Sequence, residues 1–138
     1  MPNIEADDAM GIYATLHTDN VICSPDKDMK QIPGKLYNMA EVTLITPDEG
    51  QAWHYIQTMA GDQTDGYSGV PGIGIKRATE LLDKEGYKWS TVVKAFKEKD
   101  LDEDVALMNA RLAKILQCND YDLTTGQPIL WTPTDASN

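Results

Sequence analysis

The apolar positions change period several times along the 138-residue chain, and each change predicts an element. Ile12 and Leu16 recur at helical spacing, flanked by Met10 and Tyr13, behind an acidic opening, Ile4-Glu5-Ala6-Asp7-Asp8. This predicts a first helix with acids in its first turn, where the helix dipole favours them. Asn20-Val21-Ile22-Cys23-Ser24 is a short apolar run ending at Pro25, which predicts a buried strand of a parallel sheet with Cys23 as a buried thiol. Leu36-Tyr37 and Glu41-Val42-Thr43-Leu44-Ile45 predict two short strands forming a ribbon that turns near Asn38. Thr46-Pro47-Asp48-Glu49 reads as a helix start, with Thr as N-cap and Pro at the first helical position. That helix should run through Trp53, Ile56 and Met59 to about Ala60 and stop at Gly61.

Beyond a glycine-rich stretch the pattern is helical throughout. Ala78 to Glu85 predicts a helix stopped by Gly86, and Trp89 to Lys99 another capped by Ser90. Asp102 to Gln117 predicts the longest helix, with Val105, Leu112, Ile115 and Leu116 forming much of its apolar face. Lys84, Lys94 and Lys97 read as a solvated face. Ile129-Leu130-Trp131 should fold back on the body, and the last five residues should be loose. The fold class expected is α/β followed by a mostly helical region, divided into 1–60 and 61–138.

A formal charge of −10 argues against a nucleic-acid partner until its distribution is considered. Gly66 to Lys99 carries seven Lys/Arg against four Asp/Glu, so the acidity is concentrated elsewhere. No apolar run approaches a membrane span and no charged-then-apolar leader is present, which predicts a cytoplasmic protein. Cys23 and Cys118 form no metal or redox spacing, and His17 and His54 read as surface or satisfied residues.

Candidate chemistry centres on Gly61 to Leu82, where Asp62 and Asp65 precede Gly66, Gly69, Pro71, Gly72 and Gly74 and a helix opening with Lys76 and Arg77. A tight hairpin feeding a helix N-terminus aims several N–H groups one way, an arrangement that suits phosphate. Upstream, Asp26 and Asp28 follow the Val21 strand, and in an extended chain residues i and i+2 point the same way. An EF-hand is excluded for Asp26-Lys27-Asp28, because the loop lacks glycine at its sixth position and glutamate at its twelfth. Seven carboxylates, Glu5, Asp7, Asp8, Asp26, Asp28, Asp62 and Asp65, therefore fall at element termini. Gathered together they would repel unless hard divalent cations, Mg²⁺ or Mn²⁺, neutralised them. Two such ions beside a phosphate cradle with no base-reading side chains predict a metal-dependent nuclease that grips duplex backbone without regard to sequence.

The chain also resembles the 5′–3′ exonuclease/flap endonuclease family, most closely the exonucleases of short-tailed bacteriophages. The motifs that carry the resemblance are Glu5-Ala6-Asp7-Asp8, Ser24-Pro25-Asp26-Lys27-Asp28, Gly61-Asp62-Gln63-Thr64-Asp65 and the hairpin Gly69-Val70-Pro71-Gly72-Ile73-Gly74. The closing segment, with Asn119-Asp120-Tyr121 and Ile129-Leu130-Trp131-Thr132-Pro133, is similar to the end of the phage enzymes. The resemblance implies a partial PIN-like, flap-nuclease parallel sheet followed by a helix–three-turn–helix motif. It implies that Glu5, Asp7 and Asp26, with Asp8 close by, hold one Mg²⁺ or Mn²⁺, and that Asp28, Asp62 and Asp65 hold a second, with Asp7, Asp26 and Asp28 central to catalysis. It also implies that Gly69, Val70, Gly72, Ile73, Gly74, Lys76 and Arg77 bind DNA, with a K⁺ ion held by the carbonyls of Val70 and Ile73. Gly66-Tyr67-Ser68 departs from the Asn-Ile-Pro often found in the family, which removes no ligand.

In the family a sizeable half precedes Glu-Ala-Asp-Asp and supplies further aspartates and a basic helical arch. Here Glu5 stands close to Met1. The expectation is a C-terminal nuclease half hydrolysing DNA or RNA-primer phosphodiesters in a duplex with a 5′ end or flap, and needing a separate N-terminal polypeptide. A self-sufficient nuclease and a non-catalytic DNA-binding or regulatory module are the alternatives.

Overall fold

The computed structural model describes residues 5–17 and 19–133, so Ile4 and the last five residues lie outside the described residues. The chain's contacts gather into two compact units. One comprises the chain up to Gln51 together with Ile115–Leu130, and the other Ala52–Lys114 together with the chain from Trp131. This grouping differs from a cut near residue 60 because Ile115 packs with Ile22, Met29, Ile32, Leu36 and Ile45 in the core of the first unit.

The first unit opens with α1 (Ala6–Leu16), preceded by Glu5 as N-cap. Asn20 closes its far end, its Nδ2 donating to the carbonyls of His17 at 3.0 Å and Ala14 at 3.3 Å. Ile12 is the buried apolar residue of this helix, whereas Leu16 and Tyr13 are exposed, against the expectation for Leu16. The strands β1 (Val21–Cys23), β2 (Gly34–Tyr37) and β3 (Val42–Ile45) form one sheet in the order β1-β2-β3. β1 and β2 run parallel, Ile22 opposite Leu36, and β2 and β3 antiparallel, Leu36 opposite Thr43. The sheet is therefore mixed and small, with β1 at one edge. Asn38 makes the ribbon's turn, its Oδ1 accepting from the amides of Ala40 and Glu41 at 3.0 Å each.

Alternation decides which face is buried. Ile22, Leu36 and Ile45 turn inward onto Met29, Ile32 and Ile115. The opposite face carries Val21 beside Lys35 and Leu44, and Cys23 beside Tyr37 and Val42. Val42 and Leu44 are 60% and 66% exposed. Cys23 is exposed as well, correcting the expectation of a buried thiol: β1 is covered on one face only.

Helix α2 (Pro47–Ala60) begins as its sequence predicts. Thr46 Oγ1 accepts from the Glu49 amide and Glu49 Oε1 accepts from the Thr46 amide, both at 3.1 Å, which is a capping box. The helix ends at Gly61, whose φ of 73° only glycine adopts cheaply.

The second unit is helical: α3 (Ile75–Glu85), α4 (Trp89–Lys97) and α5 (Glu103–Ala113), with Tyr55, Met59, Leu82, Trp89, Val92 and Phe96 in its core. Gly86 ends α3 with φ 109°. Ser90 lies inside α4 and does not cap it; the N-cap is Lys88. Helix α5 is shorter than expected and is not the longest, since its backbone leaves the helix at Lys114. Its buried face is Ala106, Asn109, Ala110 and Ala113, while Leu112 is exposed, so small residues rather than Leu112 and Ile115 make the contact. Trp131 folds back as expected: its ring meets those of His54, Tyr55 and Trp89, and its carbonyl accepts from Arg111 Nε at 2.9 Å. Ile129 and Leu130 stay exposed. Among the described residues no helix is long and apolar enough to cross a membrane.

Candidate functional site

In the first unit the acidic residues sit at two element starts. Glu5 and the first-turn pair Asp7 and Asp8 head α1. Asp8 has a structural task too, since its Oδ1 accepts from the Leu116 amide at 3.0 Å. The chain after β1 is not extended: Asp26 caps a 3₁₀ turn, Lys27–Gln31, and Asp28 lies within it. The expected i, i+2 alignment of an extended segment is replaced by a capped turn. The Asp26 amide donates to Ser24 Oγ at 3.1 Å, and Asp26 Oδ1 accepts from the Asp28 amide at 3.0 Å. That bond fixes one carboxylate oxygen and leaves the other available to a cation.

In the second unit Asp62 and Asp65 share one turn. The backbones of Asp62 and Tyr67 exchange hydrogen bonds of 2.8 and 3.1 Å, and Gly66 (φ 83°) lets the chain reverse between them. Asp62 Oδ1 accepts from the Thr64 amide at 2.9 Å, and Asp65 is exposed. Both carboxylates keep oxygens free of these bonds, an all-oxygen donor set that suits a hard divalent ion.

The hairpin follows. At Gly69 (φ 64°) a Cβ would lie 2.5 Å from both the Gly61 nitrogen and the Met59 carbonyl oxygen, so two backbones cross here where only glycine fits. The Val70 amide donates to Met59 O at 2.8 Å, and the Gly69 amide to Asn109 Oδ1 at 2.8 Å. Gly69 and Val70 are thus buried, and their amides are used within the protein. Val70-Pro71-Gly72-Ile73 closes a turn with Ile73 N–H donating to Val70 O at 3.1 Å; Pro at its second position and Gly72 at φ 79° in its third fit type II geometry. Gly72 and Gly74 are exposed, and a Cβ on either would meet nothing within 4 Å. Gly74 is the N-cap of α3, and its carbonyl takes the first helical bond, from Ala78. The amides of Ile75, Lys76 and Arg77 therefore have no intrahelical partner, and two exposed cations stand beside them.

Of the residues expected at the hairpin, the structure presents Gly72, Gly74, Lys76 and Arg77 to solvent and places Gly69 and Val70 beneath them as its footing. The residue that sequence reasoning missed is Asn109. Its signal was a lone amide on an otherwise alanine-lined helix face. His54 is satisfied, as expected, and buried: its Nε2 donates to Ala110 O at 2.8 Å. Burial outweighs that bond and, with Lys114 nearby, pushes its pKa down to about 3.

No protein-family model matches the chain. It is similar to the exodeoxyribonuclease of Enterobacteria phage T3, at 29% identity across 96% of this chain and 56% of the relative. Its similarity to the exonuclease of Escherichia phage T7 is 26%, across 96% of this chain and 57% of the relative. The 5′-3′ exonuclease of Mycobacterium tuberculosis (strain ATCC 25618 / H37Rv) is 32% identical across 62% of this chain and 34% of its own length. The chain spans a little over half the length of the phage relatives it matches. Over most of its length, this chain is a homologue of phage exonucleases and of a bacterial 5′-3′ exonuclease.

Proposed function

We propose that this chain is the DNA-gripping and metal-binding part of a 5′–3′ exonuclease or flap endonuclease that hydrolyses phosphodiester bonds in duplex DNA carrying a 5′ end or flap. The observation that carries the reading is the hairpin: exposed glycine backbone at Gly72 and Gly74 leads into the unpaired amides and paired cations that open α3. Such a surface takes phosphate oxygens without reading bases. It lies a few residues after two turn-borne carboxylates, in a homologue of exonucleases. In family terms the hairpin is a helix–three-turn–helix and the β1–β2 pair the remnant of a PIN-like parallel sheet. The second carbonyl lone pair of Val70 and the carbonyl of Ile73 are the positions for K⁺.

We assign Glu5, Asp7 and Asp26, with Asp8 close by, to one Mg²⁺ or Mn²⁺, and Asp28, Asp62 and Asp65 to a second. When bound, such a pair supplies an activated water and stabilises the leaving oxygen of an in-line displacement. The chain's own part is to hold those carboxylates on capped turns, where the Asp28 and Thr64 amides pin Asp26 and Asp62. The hairpin keeps the strand from sliding by holding its phosphates, while Lys76 and Arg77 offset their charge.

The finer reading is that a further polypeptide completes the nuclease core. It is supported by the position of β1 at the sheet's edge and by the exposed Val21, Val42 and Leu44 on the outer sheet face. Parallel strands are seldom left uncovered. The test is cleavage of a 5′-flap duplex in Mn²⁺, with and without a polypeptide equivalent to the unmatched part of the phage enzymes. Cleavage should require the mixture. Asp26→Ala should abolish it while leaving duplex binding intact, and Lys76→Ala should lower the salt slope of binding by about one. Failure of the purified chain to bind duplex at all would sink the reading.

A further inference from the structure

The hairpin is held from below by one side chain that belongs to neither the carboxylates nor the phosphate surface. Asn109, on α5, is 1% exposed. Its Oδ1 accepts from the Gly69 amide at 2.8 Å across forty residues of sequence, and its Nδ2 donates to Val105 O at 2.9 Å. The orientation of the amide follows from its partners. A backbone N–H can only donate and a carbonyl can only accept, so the oxygen must face Gly69. One helical turn away on either side the face is alanine, Ala106 and Ala113, so an amide here serves no packing need that alanine would not.

We propose that Asn109 is a positioning residue for the phosphate-binding hairpin: by capturing the Gly69 amide it sets the angle at which Gly72, Gly74 and the first turn of α3 meet a phosphate backbone. Gly69 has no freedom on its other side, where Val70 is tied to Met59 and the Gly61 backbone lies against it. The hairpin therefore leaves two fixed points, the end of α2 and Asn109, and the exposed turn is cantilevered from them. Without the amide, the buried Gly69 N–H must turn toward water to regain a partner, and the turn that follows turns with it.

The inference rests on the duplex-binding reading above, and its test separates the two. Asn109→Leu keeps the volume and removes the acceptor. Asn109→Asp keeps the acceptor for Gly69 but buries a charge against Val105 O, so it should be the less stable of the two. If Asn109 only stabilised the unit, duplex affinity would follow melting temperature and Asp would bind worse than Leu. A positioning role reverses that order: Asn109→Leu should lose about tenfold in affinity for a 20-base-pair duplex, the size of one lost buried hydrogen bond, and Asn109→Asp should retain most of it. Amide exchange of the unsubstituted chain gives a readout that needs neither DNA nor a folded variant. The Gly69 amide should exchange slowly while those of Gly72 and Gly74 exchange freely. Rapid exchange at Gly69, or affinities that track stability, would overturn the proposal. A parent chain that binds no duplex but protects Gly69 would defeat the nuclease reading while leaving the grip of Asn109 on the hairpin in place.

Discussion

The two units solve the burial problem differently. The helical unit closes on itself: Tyr55, Phe96 and Trp89 are buried among Val92, Leu82 and Met59, and Trp131 is laid across the aromatic rings. The α/β unit packs Ile22, Leu36 and Ile45 of its sheet onto Met29, Ile32 and Ile115 and leaves Val42 and Leu44 exposed on the other side. The first arrangement gathers its aromatic rings into one core, and the second leaves one face of its sheet in solvent. The proposed phosphate-binding hairpin thus stands on the closed unit, and the carboxylates at the ends of α1 and β1 on the open one.

The tryptophans make this contrast measurable, since Trp53, Trp89 and Trp131 all pack in the helical unit and their fluorescence reports on it. The largest effect should come from Trp89→Ala, which empties the middle of that core and strips Glu103 Oε2 of its 2.9 Å indole bond. A loss of about 3–5 kcal/mol is expected in urea unfolding followed by fluorescence. Gly69→Ala comes next, at about 2–3 kcal/mol, because the residue holds φ 64° and its new methyl would press on the backbone of Gly61 and Met59. Duplex affinity should fall with it.

Acid should then separate the units. His54 stays neutral in the folded helical unit, with its pKa held down at about 3, whereas the unfolded chain takes up a proton near 6.5. The stability it protects is present in full above pH 6.5 and drains away as pH falls toward 3, by up to about 1.4 kcal/mol per pH unit. Urea midpoints read by tryptophan fluorescence should drop between pH 7 and 5, and His54→Gln should remove that part of the slope. The smallest effect on stability should be that of Leu44→Ser on the open unit, within about 0.5 kcal/mol. In sedimentation the unsubstituted chain should self-associate through this exposed face, and Leu44→Ser should do so less. If Leu44→Ser cost as much as Trp89→Ala, the sheet's outer face would be covered after all and the contrast would fail.

Local signals were the legible ones. The Thr46–Glu49 capping box, the stop at Gly61, the Asn38 turn and the glycine hairpin each declare themselves within a few residues, and the structure forms them there. What the sequence hid depends on distance. That Ile115 leaves the helical pattern to join Ile22 and Ile32, and that α5 buries alanines in place of Leu112, follow from which partner each face meets. Cys23 misled because an apolar run does not say whether a strand is covered on both sides. At the candidate site, residue types and spacing revealed the carboxylates and the exposed glycines, but not that Asp26 is fixed by a 3₁₀ turn, nor that the footing of the hairpin is an asparagine forty residues on.

The stitching of residues 115–118 onto α1 has a consequence for the order in which the chain folds. The Leu116 amide is held by Asp8, the Cys118 amide by Thr15 at 2.7 Å, and the Ile115 amide by Gln31 at 2.9 Å, while Gly11 leaves room for the Leu116 carbonyl to pass. These bonds join residues 84 to 108 positions apart, so their loops are the costliest in the molecule to close. On a ribosome, helices α3 to α5 emerge as one uninterrupted stretch and can condense while α1 and its sheet are still waiting for their last strap. Helices α3 to α5 would then condense before α1 is locked to its strap, and Trp131, which follows that strap in the chain, would be the last piece laid on the helical core.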